Sequence, residues 1–154
     1  MNGKSQHATI TLERSYAAPL ERVFSEFADP VARARWSPPS EDVLIYDEAD
    51  FRIGGRDVFR CGPKGDLKFR GETRYLPIVP NARVVSSETV DMDGQRLAVS
   101  LTTLDFESTE HATSVKVTVQ VISFVGTGMI QGYESGNKSA LENLSEHLRK
   151  MPPA

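Results

Sequence analysis

Two neighbouring stretches near the end of the chain decide the fold: TSVKVTVQVI at residues 113–122 and TGMIQGYESGNKSALENLSEHLR at residues 127–149. In the first stretch, valines alternate with polar residues, which is typical of a strand with one buried and one solvated side. In the second, Leu141, Leu144 and Leu148 recur at helical spacing. A sheet with one apolar face must cover that face. We therefore predict a curved sheet wrapped around a long C-terminal helix.

The first half of this helix is a poorer amphipathic pattern than the second. It contains Gly132 and Gly136, and each glycine costs about 1 kcal/mol relative to alanine in a helix interior. Either close packing or a need for room beside the helix should compensate. Met129, Tyr133 and Asn137 lie in the same half, so we expect a pocket there.

The remainder of the chain predicts one α+β domain over residues 1–154. A strand is expected at residues 9–16, a short helix that begins at Pro19 and carries apolar residues to Phe27, and a second helix capped by Asp29 that ends near Trp36. Residues 1–7 are expected to be a disordered tail. Further strands, about six or seven in all, are predicted at residues 43–47, 56–61, 67–76, 83–90, 95–107 and 113–122.

Composition excludes several classes of function. The 154 residues carry a net charge of −3, which argues against a nucleic-acid-binding surface. The single cysteine, Cys61, cannot form an intramolecular disulfide. The chain has no apolar run long enough to span a bilayer, so we expect no membrane insertion and a cytoplasmic location.

No motif for a metal, cofactor or catalytic nucleophile is present. His7, His111 and His147 lack the spacing of metal ligands. We therefore expect no cofactor, no metal and no catalytic residue. Cys61 is interpreted as a small buried residue, since a reactive thiol needs a lowered pKa. Alternation places Lys68, Arg70, Glu72 and Arg74 away from Phe69 and Tyr75, which favours a solvated charge ladder on the outer side.

Several segments resemble the SRPBCC superfamily (START-like, birch-pollen-allergen-like). Within it, they are similar to the branch related to the activator of heat-shock-protein-90 ATPase. The segments are ITLERSYAAPLERVF at residues 10–24, FADP at 27–30, RW at 35–36, DFRIGGR at 50–56, GE at 71–72, PNARVV at 80–85 and GNKSALENL at 136–144. One departure concerns the final helix, where this branch usually has Gly-Trp and the chain has Gly136-Asn137. An amide in place of an aromatic ring predicts a roomier or more polar pocket.

The resemblance implies a helix-grip fold with a cavity between the sheet and the long helix. Members of the superfamily bind lipids, sterols, polyketides and other apolar molecules, a few are cyclases or hydrolases, and some bind protein partners. The residues predicted to contact a ligand are Trp36, Phe59, Phe69, Tyr75, Met129, Tyr133 and Asn137. Core packing is the alternative for the aromatic residues among them.

Three functions follow from these observations. The first is binding of a small apolar or amphipathic molecule in the cavity. The second is an enzyme of the cyclase or hydrolase kind, which needs Glu72, Arg60 or Tyr133 turned into the cavity. The third is a protein-interaction role, which needs an exposed apolar patch. The sequence favours a binding protein over an enzyme, and it leaves open a homodimer or a chaperone partner.

Overall fold

The computed structural model describes residues 4–150 as one antiparallel sheet and three helices. The strands are β1 (Gln6–Tyr16), β2 (Asp42–Glu48), β3 (Arg56–Pro63), β4 (Phe69–Val79), β5 (Arg83–Met92), β6 (Gln95–Ser108) and β7 (Thr113–Ser123). The helices are α1 (Leu20–Ala28), α2 (Pro30–Trp36) and α3 (Thr127–Lys150). The strands lie in the order β1-β7-β6-β5-β4-β3-β2, which confirms the predicted α+β helix-grip architecture.

The two short helices begin close to the predicted positions. Asp29 caps α2, since its side chain accepts a hydrogen bond from the Val31 backbone N–H at 2.9 Å, and Pro30 takes the first helical position. The sequence predicts Pro19 as the first residue of α1. In the structure Pro19 is the N-cap residue, so the helix begins one residue later, at Leu20. Strand β1 begins at Gln6 and so includes the end of the tail predicted over residues 1–7, of which residues 1–3 lie outside the described chain.

Strand β4 continues beyond the predicted end at residue 76. Its pairing with β5 shifts register between Tyr75 and Ile78, and Pro77 lies in this irregularity. A proline has no N–H for the ladder, so a bulge is where an inner strand tolerates one. Similar shifts place an extra residue on β2, opposite β3, and on β6, opposite β5, and bulges of this kind bend a strand.

The packed core lies between β1, β7 and the second half of α3. The inner valines of β7 are buried, as are Leu141, Leu144 and Leu148 of the helix. The Tyr16 hydroxyl donates to the Leu141 carbonyl at 3.0 Å and ties β1 to the helix. Within residues 4–150, no helix is both long and apolar enough to cross a membrane.

Candidate functional site

The inner face of the sheet has a packed half and an open half. Helix α3 lies against β1 and β7, whose inner side chains are mostly buried. On β2 to β5, many side chains of the same face are only half-buried. The Tyr133 hydroxyl of α3 donates a hydrogen bond to Glu88 of β5. The face of the sheet that carries Glu88 is therefore the face toward the helix. We call this part of the inner face the open half, and it includes Tyr46, Phe59, Phe69, Thr73, Glu88 and Met92.

Four polar side chains form a row across the inner face. Asp57 is paired with Thr73, Thr73 with Glu88, and Glu88 with Ser100. Asp57 is fully buried and Ser100 is 3% exposed. The Ser100 Oγ has no partner of normal hydrogen-bond geometry. This polar row is unusual for the interior of a sheet, because a buried polar group without a partner costs free energy.

At one end of the polar row, Arg33 of α2 pairs with Asp57. Its Nη1 donates to Asp57 Oδ2 at 2.9 Å and to the Tyr75 hydroxyl at 2.8 Å. Tyr75 in turn donates to the same carboxylate oxygen at 2.5 Å. The other oxygen, Oδ1, accepts the Asp50 backbone N–H at 3.1 Å. The Asp57 carboxylate is therefore held by three elements of the fold.

The charge of this cluster is internally balanced. Burial alone would lower the pKa of Arg33, but Tyr46, Tyr75 and Asp57 together hold the pKa above its ordinary value. The guanidinium carbon lies 5.0 Å from the centroid of the Tyr46 ring, a cation–π contact. Burial raises the pKa of Tyr46 to about 12. Arg33 therefore stays charged, and its charge is matched by Asp57.

In the middle of the polar row, Glu88 faces Tyr133. The Tyr133 hydroxyl donates to Glu88 Oε1 at 3.0 Å. Burial raises the pKa of Glu88, and hydrogen bonds from Tyr133 and Thr73 oppose that rise only in part. Burial and the nearby Glu88 raise the pKa of Tyr133. Within residues 4–150, no Lys, Arg or His forms a salt bridge with Glu88. Glu88 is thus a carboxyl group without a counter-charge, able to hold or release a proton inside the fold.

Beside the polar row, the open half is aromatic and apolar. The Phe59 ring lies across Gly71 of the next strand, where a Cβ would come within 2.0 Å of the ring. Phe59 also meets the Tyr46 ring edge-to-face at 6.3 Å between centroids. Burial raises the pKa of the nearby Cys61 thiol to about 11, so Cys61 is not a nucleophile at neutral pH. An amphipathic surface results, with one acid beside several rings.

The opposite face of the sheet has a groove of about 580 Å³. Its lining comes mainly from outer-face side chains such as Val99, Leu101 and Ile122, and His7 is its one titratable group. This groove therefore lacks the grouped acids and rings of the open half. Among residues 4–150, no three His, Cys, Asp or Glu side chains are grouped to hold a metal ion.

Comparison with known families identifies the fold. The profile of the family described as Activator of Hsp90 ATPase homolog 1-like protein matches residues 17–149. The chain belongs to this family. Its membership confirms the predicted branch of the SRPBCC superfamily. No curated protein matches the chain.

Several solved structures are similar to this member of the Activator of Hsp90 ATPase homolog 1-like family. A protein from Rhizobium loti is 31% identical, with 93% of this chain and 98% of that chain covered and a TM-score of 0.82. An uncharacterized protein from Rhizobium leguminosarum is 28% identical, with coverages of 96% and 98% and a TM-score of 0.82. The AHSA1 protein from Silicibacter pomeroyi, at 19% identity, coverages of 92% and 98% and a TM-score of 0.74, shares the fold.

In this family member, the predicted ligand contacts fall into two groups. Phe59, Phe69 and Tyr133 lie at the open half, with Met129 on the same helix as Tyr133. Trp36 and Tyr75 are each 4% exposed and belong to the core. The remaining predicted contact is Asn137.

The side chains of Trp36 and Asn137 both contact other parts of the protein. The Trp36 ring packs edge-to-face on Phe27 at 4.9 Å between centroids, and its buried indole N–H has no partner. The Asn137 side chain donates to the Tyr133 carbonyl at 2.7 Å. The Asn137 amide, which stands where the resemblance predicts an aromatic ring, therefore forms its hydrogen bond within its own helix.

Two of the three side chains that the enzyme hypothesis needs inside the cavity, Arg60 and Glu72, lie on the outer face. Arg60 is paired with Asp47 at 2.8 Å, and Glu72 contacts Arg56 at 3.3 Å. These side chains are partly exposed on the outer face, because alternation along β3 and β4 turns them away from Phe59 and Tyr75. The outer charge ladder is confirmed for Arg70, Glu72 and Arg74, whereas the Lys68 Nζ lies 5.5 Å from the centroid of the Phe69 ring. Of the three side chains that the enzyme hypothesis names, Tyr133 alone points inward.

Three polar residues of the site were missed by the sequence reasoning: Arg33, Asp57 and Glu88. A signal for Glu88 existed, since it shares strand parity with the buried Val84 and Val90. Asp57 likewise shares parity with Phe59. The alternation of apolar and polar residues cannot be recognised around Glu88, because Ser86, Ser87 and Thr89 are all polar although they lie on different faces of the strand.

Proposed function

We propose that the protein binds a small apolar or amphipathic molecule between the open half of the sheet and the first half of α3. The supporting observation is the open half itself. Phe59, Phe69 and Met92 are half-buried although they lie on the face of the sheet toward the helix, and apolar and aromatic side chains predominate in the lining of small-molecule sites. The superfamily's common binding of apolar molecules is consistent with this proposal.

The glycines of α3 give separate support. A Cβ placed at Gly136 would meet no atom within 4 Å, so close packing does not explain this glycine. Gly136 shares a helix face with Met129, Tyr133 and Ala140, which pack partly against the core. Room beside the helix therefore explains Gly136 better than close approach does.

A matched pair of substitutions tests this proposal. Gly136→Leu adds a side chain on the face toward the sheet, and Gly132→Leu adds the same side chain at an exposed position of the same helix. Both should gain up to about 1 kcal/mol of folding stability from helix propensity. A panel of alkyl alcohols, alkylamines, sterols and aromatic compounds would be screened by thermal shift and confirmed by calorimetry.

We expect wild type and Gly132→Leu to bind members of the panel and Gly136→Leu to lose that binding. Equal binding by Gly136→Leu would place the ligand elsewhere on the molecule. No binding of any compound by wild type would contradict the proposed function.

One observation favours catalysis as a second candidate function. Glu88 and Tyr133 form a hydrogen-bonded acid pair inside the fold, and a positioned acid is the group that proton-transfer catalysis requires. Incubation with any compound that binds, followed by mass spectrometry, would test it. Conversion that disappears in Glu88→Gln supports catalysis, whereas recovery of the unchanged compound contradicts it.

A further inference from the structure

We infer that the molecule bound at the open half carries a protonated amine, and that its ammonium group pairs with Glu88. This inference rests on the proposed function and adds the chemical class of the ligand. It follows from the uncharged groups that surround Glu88 and from the lack of a salt bridge to Glu88 within residues 4–150.

The neighbours of Glu88 supply hydroxyl groups and no positive charge. Tyr133 approaches from α3, Thr73 from β4 and Ser100 from β6. The further titratable groups that interact with Glu88 are Tyr46 and Cys61, and both are neutral at neutral pH because burial raises their pKa. Every group facing Glu88 from the packed elements is thus uncharged.

The charge of the cation at the other end of the polar row is matched by Asp57. Arg33 reaches the row at Asp57, two strands from Glu88, or about 10 Å at the usual strand spacing. Its Nη1 donates to Asp57 and Tyr75, and within residues 4–150 its buried Nε and Nη2 have no hydrogen-bond partner. Glu88 is half-buried, and a carboxylate shielded from water without a counter-charge is costly, so pairing with the cation of a ligand would remove that cost.

The surface next to Glu88 defines the rest of the ligand. Along β5, Met92 lies four residues from Glu88, or about 13 Å at 3.3 Å per residue. Met92 pairs with Phe69, and the Phe59 ring lies between these positions and the polar row. An unbranched alkyl or aryl-alkyl body fits such a strip, with its charged head at Glu88 and its apolar end at Met92.

Other head groups are less suited to this site. A carboxylate would bring a second negative charge next to Glu88, and like charges in a region of low dielectric repel strongly. A neutral alcohol would gain a hydrogen bond but no charge pairing. The same apolar body should therefore bind in the order amine, alcohol, carboxylate.

Octylamine, octanol and octanoate test this order directly, since each is a straight chain of eight carbons with a different head group. Calorimetry at about pH 7.5, where an alkylamine remains protonated as lysine does, should show octylamine binding at least about tenfold more tightly than octanol, or about 1.4 kcal/mol. Octanoate should bind most weakly. Glu88→Gln should abolish the preference for the amine, and Glu72→Gln, on the outer face, should retain it.

The pH dependence separates the amine from a neutral acceptor. If an ammonium pairs with ionised Glu88, octylamine affinity rises as pH increases through the pKa of that carboxyl. If protonated Glu88 instead donates to a neutral ligand, affinity falls over the same range. Failure of all three probes to bind would contradict the proposed function. Binding without an amine preference, or a preference that survives in Glu88→Gln, would overturn this inference while leaving the proposed function intact.

Discussion

At the scale of single residues, the polar row contains one balanced charge pair, Arg33 with Asp57, and one acid without a counter-charge, Glu88. Arg33 and Asp57 have side chains 14% and 1% exposed, so water screens them little. Removing one partner of a buried pair leaves the other charge uncompensated, which costs far more than losing a surface pair. The pair also joins α2 to β3, so it both balances charge and holds these two elements together.

Asp57→Asn tests this contribution. The substitution keeps the size of the side chain and removes its charge, so Arg33 loses its carboxylate partner. We expect the free energy of unfolding in urea to fall by about 3–5 kcal/mol. The control is Asp47→Asn, which breaks the partly exposed pair with Arg60 and should cost no more than about 1 kcal/mol. Similar losses in both variants would contradict a special role for the buried pair.

Glu88 has the opposite effect on stability. Burial raises its pKa in the folded state above the unfolded value of about 4.3, so the folded protein holds this proton more tightly. Stability is therefore lost as pH rises from the unfolded pKa through the folded pKa. Glu88→Gln removes this penalty and should be more stable than wild type at neutral pH.

Urea unfolding at several pH values measures that difference. The gain of Glu88→Gln over wild type should vanish below about pH 4, where the carboxyl is protonated in both states. It should then increase with pH and level off above the folded pKa. Glu72→Gln should show no such gain at any pH. A constant offset between Glu88→Gln and wild type would mean that Glu88 titrates normally.

At the scale of elements, local patterns predicted what local patterns can encode. The valines of β7 and the leucines of α3 each repeat within one element, so their burial could be predicted from the sequence. The polar row could not, because it needs the register of β3, β4, β5 and β6 together. The partnership of Arg33, Asp57 and Tyr75 likewise joins three elements distant in sequence.

Gly71 shows how one strand makes room for its neighbour. Gly71 has no side chain, which lets the Phe59 ring lie across β4. Gly71→Ala forces that ring to move, so unfolding in urea should show a loss of about 1–3 kcal/mol. In Phe59→Leu the same alanine should cost much less. Additive losses in the double variant would contradict this steric coupling.

At the scale of the whole molecule, the sheet is one hydrogen-bonded unit with unequal cover. Strands β3 and β7 are matched in one respect, since each has a paired neighbour on both sides. They differ in what covers them, because α3 packs on β7 and the inner side chains of β3 face the open half. Local opening is favoured where few buried contacts hold a segment.

Hydrogen exchange measured by mass spectrometry should reveal this difference. Amides of β7 should exchange slowest, near the rate set by global unfolding, and amides of β3 should exchange faster although β3 also has a paired strand on each side. A saturating ligand at the open half should slow exchange in β3, β4 and β5 and in the first half of α3, with less change in β7. Equal protection of β3 and β7 in the free protein would mean that the open half is already as tightly packed as the core. Under that outcome a ligand would have to open the fold in order to enter, and its association would be limited by unfolding rather than by diffusion.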